Sequence, residues 1–352
     1  MNRPFVGAGE WIRLRPLVLV VLAILLGAGC GSDNSSPVAV SDAPDSPAIG
    51  SPAAVPVDSS TSVAAVTYVG IPVGPFGLWT MNKIEYGPAP FTGSHNFINA
   101  DTLVLQINAA RNKGHRLIVA MAGGPSSRYV TSGQFDLAKW KAVMNTYNKS
   151  SLKTAVAAAV TDGTLIGNML IDEPETKQWG TTLTKAKIDQ MAAYSKTIFP
   201  TLRVGVNHGP PAYKWRSTEI YTKVDYVVYQ YAHWVTQGNI TSWRDAVLAR
   251  AQVDHVTPAF SLNVLNGGKQ DRGDGYYDCV GASMGGLGTR YPNCKMTVDQ
   301  IRTWGKTLAP LGCAMLLWQF DKAYFTKSTV LSAFTDIKNL AASKPKRTCK
   351  RV

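Results

Sequence analysis

Asp172 and Glu173 stand side by side at the end of an apolar run, Thr164–Ile171, and Pro174 closes the segment. Carboxyl groups are seldom buried without partners, so packing alone gives no reason to place two of them where a buried run surfaces. An apolar cleft raises the pKa of a carboxyl group within it, and a positioned carboxyl can act as a general acid or base. Glu173 reads as that acid or base. A second group is then needed, and two residues offer one: Asp172 itself, and Asp321 after the late run Ala314–Trp318. Neighbours on a strand point to opposite faces, so Asp172 and Glu173 reach one cleft only if the backbone bends near Pro174. The plainer reading of the pair is a structural ion pair or a helix cap.

The elements that must position these residues alternate along the chain. A fully apolar run of this length suits a parallel strand covered on both faces, and Pro174 cannot donate to a ladder. Strand-like runs are Val66–Ile71, Phe76–Trp79, Arg116–Ala122, Thr164–Ile171, Leu202–Val206, Val224–Tyr229, Val256–Leu262 and Ala314–Trp318. Helical patterns fall between them at Asn99–Lys113, Leu137–Asn148, Leu152–Val160, Thr184–Ile198, Ile240–Ala251, Val298–Leu308 and Thr329–Leu340. Such alternation implies right-handed βαβ units and a parallel sheet. A (β/α)8 barrel takes about 250 residues, and Val63–Leu340 supplies 278. The expected fold is therefore a (β/α)8 (TIM-type) barrel over residues 63–342, with a doubly wound open parallel sheet as the alternative. Gly285-Gly286-Leu287-Gly288 follows no strand and opens no helix, so it is no dinucleotide fingerprint.

In a barrel the strand ends share one rim, where chemistry is done. The residues expected there are Trp79, Trp179, Asn207, His208, Gln230, Tyr231, Trp234, Asn263, Trp318 and Gln319, besides the three carboxylates. Amides, carboxylates and flat rings suit a sugar, whose hydroxyls need hydrogen bonds and whose C–H faces stack on rings. Each aromatic taken singly is as well explained by packing, and Trp318 in particular fits a layer between strands and helices.

The order of strands, the motif Leu170-Ile171-Asp172-Glu173-Pro174 and the late Leu317-Trp318-Gln319-Phe320-Asp321 resemble those of (β/α)8 glycoside hydrolases and of bacterial lipoproteins like them. The resemblance spans roughly Val66–Leu340 in architecture and five residues in its specific motif. Many such enzymes carry Asn-Glu-Pro at this strand, and here Asp172 stands in the place of the asparagine. The adjacent Asp-Glu is more similar to hexosaminidases that work by substrate assistance. That resemblance implies Glu173 as the acid/base and Asp172 as the group orienting a 2-acetamido substituent. It implies an exported glycosidase of a polysaccharide or oligosaccharide that uses no cofactor. The alternative is a carbohydrate-binding protein that keeps the barrel and lacks turnover. No Gly-x-Ser-x-Gly elbow supports an esterase.

Outside the barrel, residues 1–29 read as a leader. Arg3, Arg13 and Arg15 precede the apolar run Leu17–Leu26, which is too short to span a bilayer. The ending Gly27-Ala28-Gly29-Cys30 resembles a bacterial lipobox, which implies lipidation of Cys30 and a membrane partner in the bacterial cell envelope. Gly27 departs from the usual leucine, so ordinary cleavage and secretion is the alternative. Residues 30–62 are Ser, Pro and Ala with few bulky side chains, a composition that reads as a tether. The net charge is +13, and losing the leader's three arginines and one glutamate leaves +11, dispersed apart from the basic tail at 343–352. Without a basic helix or an aromatic-interleaved basic stripe, the charge reads as a solvated surface and argues against a nucleic-acid partner. A monomer is expected. With Cys30 lipidated, Cys279, Cys294, Cys313 and Cys349 remain, and an exported chain can oxidise them. Cys279 and Cys294 share the glycine-rich loop Asn263–Met296, which reads as a lid they could pin or as a plain surface insertion. Cys349 reaches Cys313 if residues 341–349 fold back under the barrel. Five scattered histidines and no Cys-x-x-Cys pair give no metal site.

Overall fold

Strands buried on both faces need helices outside and other strands around them. The chain, seen as a computed structural model, is described at residues 67–77, 79–80, 83–84, 90–181, 183–210, 212–236, 239–268 and 295–352. Eight parallel strands form one sheet: β1 (Val73–Pro75), β2 (Gly93–Phe97), β3 (Arg116–Ala120), β4 (Leu165–Asp172), β5 (Val204–His208), β6 (Tyr226–Tyr231), β7 (Thr257–Asn263) and β8 (Met315–Trp318). They lie in chain order, with β1 also paired to β8. The remaining seam, between β1 and β2, is closed by a parallel bridge from Phe76 to His95 and by Thr92 N–H donating to Val73 O at 2.9 Å. The sheet is a (β/α)8-type barrel, and the closed ring excludes the doubly wound alternative.

Helices α1 (Leu103–Asn112), α2 (Leu137–Asn145), α3 (Ser150–Thr161), α4 (Lys185–Ile198), α5 (Ile240–Val253), α6 (Val298–Leu308) and α7 (Ser328–Ala342) fall between or after the strands, α2 and α3 together between β3 and β4. Their starts follow from capping chemistry. Asp136, Thr184 and Asn239 accept backbone N–H groups at the first turns of α2, α4 and α5, and Thr297 with Gln300 forms a capping box on α6.

Two expectations fail at the start of the barrel. Thr67–Pro72 is not part of the sheet, and the strand expected at Phe76–Trp79 lies instead at Val73–Pro75, with Phe76 only a bridge and Trp79 in a separate antiparallel pair. Gly70 (φ +62°) turns the chain within Thr67–Pro72, against α7, where a Cβ would sit 2.4 Å from Ala341 O. The strand that fills the gap is β2, Gly-Ser-His-Asn-Phe, with no apolar run to announce it. It is a strand because its first four residues are buried between two neighbours, with Gly93 against Pro72 and Arg116 O.

Side chains alternate between two cores. Inside the barrel lie Ile118, Ala120, Met169, Tyr226, Val228, Ala259 and Leu316; Val119, Leu170, Val206, Tyr229 and Leu262 belong to the larger cluster between strands and helices. The fully buried Tyr226 ring occupies the space left by two glycines. A Cβ on Gly205 would meet it at 2.2 Å and one on Gly167 at 2.6 Å.

The bottom of the barrel is covered by the last residues. Cys313, just before β8, is joined to Cys349 with Cα atoms 5.2 Å apart, and both are buried with the interior cluster. Arg351 donates to Val224 O and Tyr221 O, and Val352 N–H to His255 O. The expected fold-back of residues 341–349 is thus present, and it leaves Lys346, Arg347 and Lys350 exposed at the barrel bottom. Cys30, Cys279 and Cys294, with the leader, the tether and the proposed lid at 269–294, lie outside the described residues.

Candidate functional site

At the C-terminal end of β4 the required bend is present, one residue earlier than proline chemistry suggests. Glu173 has φ +47°, the left-handed region that costs a non-glycine residue strain and is held only where surroundings demand it. Its N–H donates to Asn207 O on β5 at 2.8 Å. The turn lets consecutive side chains serve one site. Asp172 Oδ1 accepts Asn207 Nδ2 at 2.5 Å, and Glu173 Oε1 accepts Gln230 Nε2 of β6 at 3.1 Å. Asn207 and Gln230 are inward-facing by the alternation that places Gly205 and Val228 inside.

Glu173 is 6% exposed. Burial, and then the nearby Asp172 and Glu175 carboxylates, raise its pKa well above the ordinary 4.5, against a smaller opposing effect of the Gln230 hydrogen bond. Asp172 is also raised, by burial first, with the Asn207 bond lowering it and Glu175 raising it.

Glu175, which the sequence reading passed over, completes the loop. Its Oε1 accepts Gly209 N–H at 2.5 Å, and its Oε2 lies 2.9 Å from His208 Nδ1. His208 Nε2 in turn meets the Tyr221 hydroxyl at 3.0 Å. His208 therefore does not stand on the rim as expected. It points outward from β5, buried, with its ring stacked on that of Tyr229.

Other expected residues divide by the same alternation. Asn263 of β7 is inward, in line with Ala259 and Ser261. Asn207 Oδ1, Gln230 Oε1, Ser261 Oγ and Asn263 Oδ1 are buried with no protein partner among the described residues. Such atoms are groups a polar ligand can satisfy. Tyr231 is a correction: it points outward, fully buried, edge-on to Trp243 and Trp304 at 5.2 and 5.1 Å, with its hydroxyl on His233 Nδ1. Trp318 is half-buried and packs against the interior cluster, so it is not confined to the helix layer. Its peptide bond to Gln319 is cis. Asp321 caps a one-turn helix, Lys322–Phe325, its carboxylate accepting Tyr324 N–H at 2.8 Å. Trp79 lies in a two-residue strand paired with Lys83–Ile84 and Trp234 in the turn His233–Thr236, and their side chains are outside the described residues.

Trp179 holds the other side of the site. Its indole N–H donates to Asp172 O at 2.6 Å while its ring packs on Tyr129 and Phe135. With Phe97, Ala120, Trp140 and Met169 it lines a recess of about 520 Å³, open mouth included, into which Asp172 also faces. Phe97, at the end of β2, is 48% exposed. Beside it His95 is fully buried between the Phe76 and Phe97 rings, 4.6 and 5.2 Å away, and burial pushes its pKa down to about 3. Neither was foreseen, because β2 itself was not. Among the described residues no group of His, Cys, Asp and Glu is arranged to hold a metal ion.

The sequence matches no protein-family model, and no curated protein matches it. Solved structures do match. Xylanase 10B from Thermotoga maritima aligns at 11% identity and TM-score 0.43, over 78% of this chain and 96% of that one. Native xylanase10C from Cellvibrio japonicus aligns at 10% identity and TM-score 0.46, over 82% of this chain and 73% of that one. A glucosidase from Croceicoccus marinus aligns at 13% identity and TM-score 0.39, over 67% of this chain and 52% of that one.

Proposed function

We propose that the barrel mouth is the active site of a glycoside hydrolase acting on a polysaccharide or oligosaccharide, with Glu173 as general acid/base. The observation that carries this reading is the setting of Glu173: buried at the end of β4, hydrogen-bonded to Gln230, with burial and the neighbouring Asp172 and Glu175 carboxylates all pushing its pKa up. A glycosidic oxygen leaves readily once it is protonated, and a carboxylic acid with a raised pKa at the scissile bond supplies that proton.

Asp172 is the partner group. Among the described residues the last inward positions of β5, β6 and β7 are Asn207, Gln230 and Asn263 and give no carboxylate, while Asp321 is engaged as a cap. The mouth's carboxyl groups come from the Asp172–Glu175 loop. This supports substrate assistance, in which Asp172 orients a 2-acetamido group whose oxygen attacks the anomeric carbon. The bond to the leaving oxygen breaks as Glu173 protonates it, and Glu173 then takes a proton from the water that opens the cyclic intermediate. The apolar recess beside Asp172 has room for the methyl of such a substituent.

That β7 itself ends in Asn263, with no carboxylate at its last inward position, also supports a second reading, a non-catalytic carbohydrate-binding protein. A glycan-binding screen followed by product analysis separates the two. Glu173→Gln should keep binding while turnover drops by at least about 10²-fold, and Asp172→Asn should impair only substrates bearing the acetamido group. Binding with no cleavage by the parent protein overturns the enzyme reading. We also propose export and lipid anchoring through Cys30, supported by the leader sequence; mass spectrometry finding Cys30 unmodified in the native protein would refute it.

A further inference from the structure

Glu175 is the loop's third carboxylate, and the reaction outlined above gives it no task. It is fixed from one side, by Gly209 N–H on Oε1 and by His208 on Oε2, with its side chain 13% exposed. Gly209 is where the two glutamates approach each other. The point a Cβ on Gly209 would occupy lies 2.8 Å from Glu175 Oε1 and 3.3 Å from Glu173 Oε1. The two oxygens are therefore within about 6 Å of each other, and two carboxyl groups at that range in a buried setting disfavour each other's ionisation.

Which of them ionises is decided by their partners. Glu175 has a backbone N–H and an imidazole; Glu173 has the Gln230 amide. His208 Nδ1 faces Glu175 Oε2 while its Nε2 faces the Tyr221 hydroxyl, so a hydrogen on Nδ1 is directed at Glu175. Hydrogen bonds to the charged form favour it, and two contacts on Glu175 against one on Glu173 favour the proton on Glu173.

We propose that Glu175 is a positioning residue that keeps the proton on Glu173, its own charge held in place by Gly209 and His208. The inference rests on Glu173 being the acid of the site. Asp172 raises Glu173 as well, and ahead of Glu175, so Glu175 adds to that effect and does not act alone. Asp172 is tied to Asn207, and Tyr229 stacks on the His208 ring. Behind Tyr221, Lys185 and Arg250 are both paired with Asp254, and Asp189 accepts the N–H groups of Thr222, Lys223 and Val224.

The test is a carboxyl ¹³C titration of the glutamate-labelled full chain, with Glu173→Gln used to assign the Glu173 signal. In the parent protein the Glu173 signal should titrate above its ordinary 4.5, and a midpoint at or below that value overturns the proposal without need of a variant. In Glu175→Gln the Glu173 midpoint should fall by about 1–3 pH units, and Glu175→Asp, which keeps the charge, should restore part of it. On a cleaved glycan the alkaline limb of kcat/KM should move down with it while KM stays the same. An unmoved Glu173 midpoint in folded Glu175→Gln overturns the role of Glu175 even if glycans are hydrolysed. A moved midpoint in a protein that cleaves nothing leaves this inference standing and removes the glycosidase reading.

Discussion

Glu173 is held under two penalties, a left-handed backbone and a buried carboxyl group. The second has a pH signature. A carboxyl whose folded pKa lies above its unfolded value binds a proton more readily in the native state, so stability falls as pH rises through the window between the two. For Glu173 that window opens at about its ordinary 4.5 and extends upward. Glu173→Gln has no proton to lose, so its melting temperature should exceed the parent's by an amount that widens from pH 5 to pH 8, at roughly 2–4 °C per kcal/mol. Thermal melts across that range check it, and a constant gap would mean Glu173 is ionised in the native protein. The Asp172-Glu173 pair was legible in sequence because carboxylates at the end of an apolar strand have no packing excuse. Glu175 was not, since its importance comes from Gly209 and His208, which lie more than thirty residues away.

At the scale of elements, β4, β5 and β6 fit together through one large side chain. Tyr226 lies inside the barrel where Gly167 and Gly205 leave room, and Gly205 has an ordinary backbone, so its role is purely steric. Gly205→Ala should cost about 1–3 kcal/mol by overpacking, seen as a lower denaturant midpoint. Adding Tyr226→Val should relieve part of that cost, with a coupling of about 0.5 kcal/mol or more in a double-mutant cycle; strict additivity would show that the two residues do not compete for space. The same strands explain the limits of the sequence. Continuous apolar runs disclosed β3 to β8, but a buried strand spelled Gly-Ser-His-Asn-Phe is silent to any search for hydrophobicity, and β2 took His95 and Phe97 with it. Which face a residue takes was also hidden at the rim. Gln230 and Tyr231 look equally suited to a sugar, and a period of two sends one to Glu173 and the other beneath the helices.

For the whole molecule, the link from Cys313 to Cys349 fastens the barrel bottom across a sequence separation of 36. Closing a loop of that length stabilises by about 3–4 kcal/mol on the chain-entropy account. Cys349→Ser should therefore lower the melting temperature on the order of 10 °C, as should reduction of the parent protein; calorimetry with and without reductant decides it. The ring has a further consequence, in the time domain of synthesis. β1 pairs with β8, so the first strand made is completed by the last. Translation at roughly 5–20 residues per second leaves β1 with a bare edge on the order of tens of seconds, and β7 carries another until β8 emerges. Bare strand edges recruit wrong partners. The nascent chain's need for a holding chaperone is thus set by circular connectivity, not by the stickiness of any one segment.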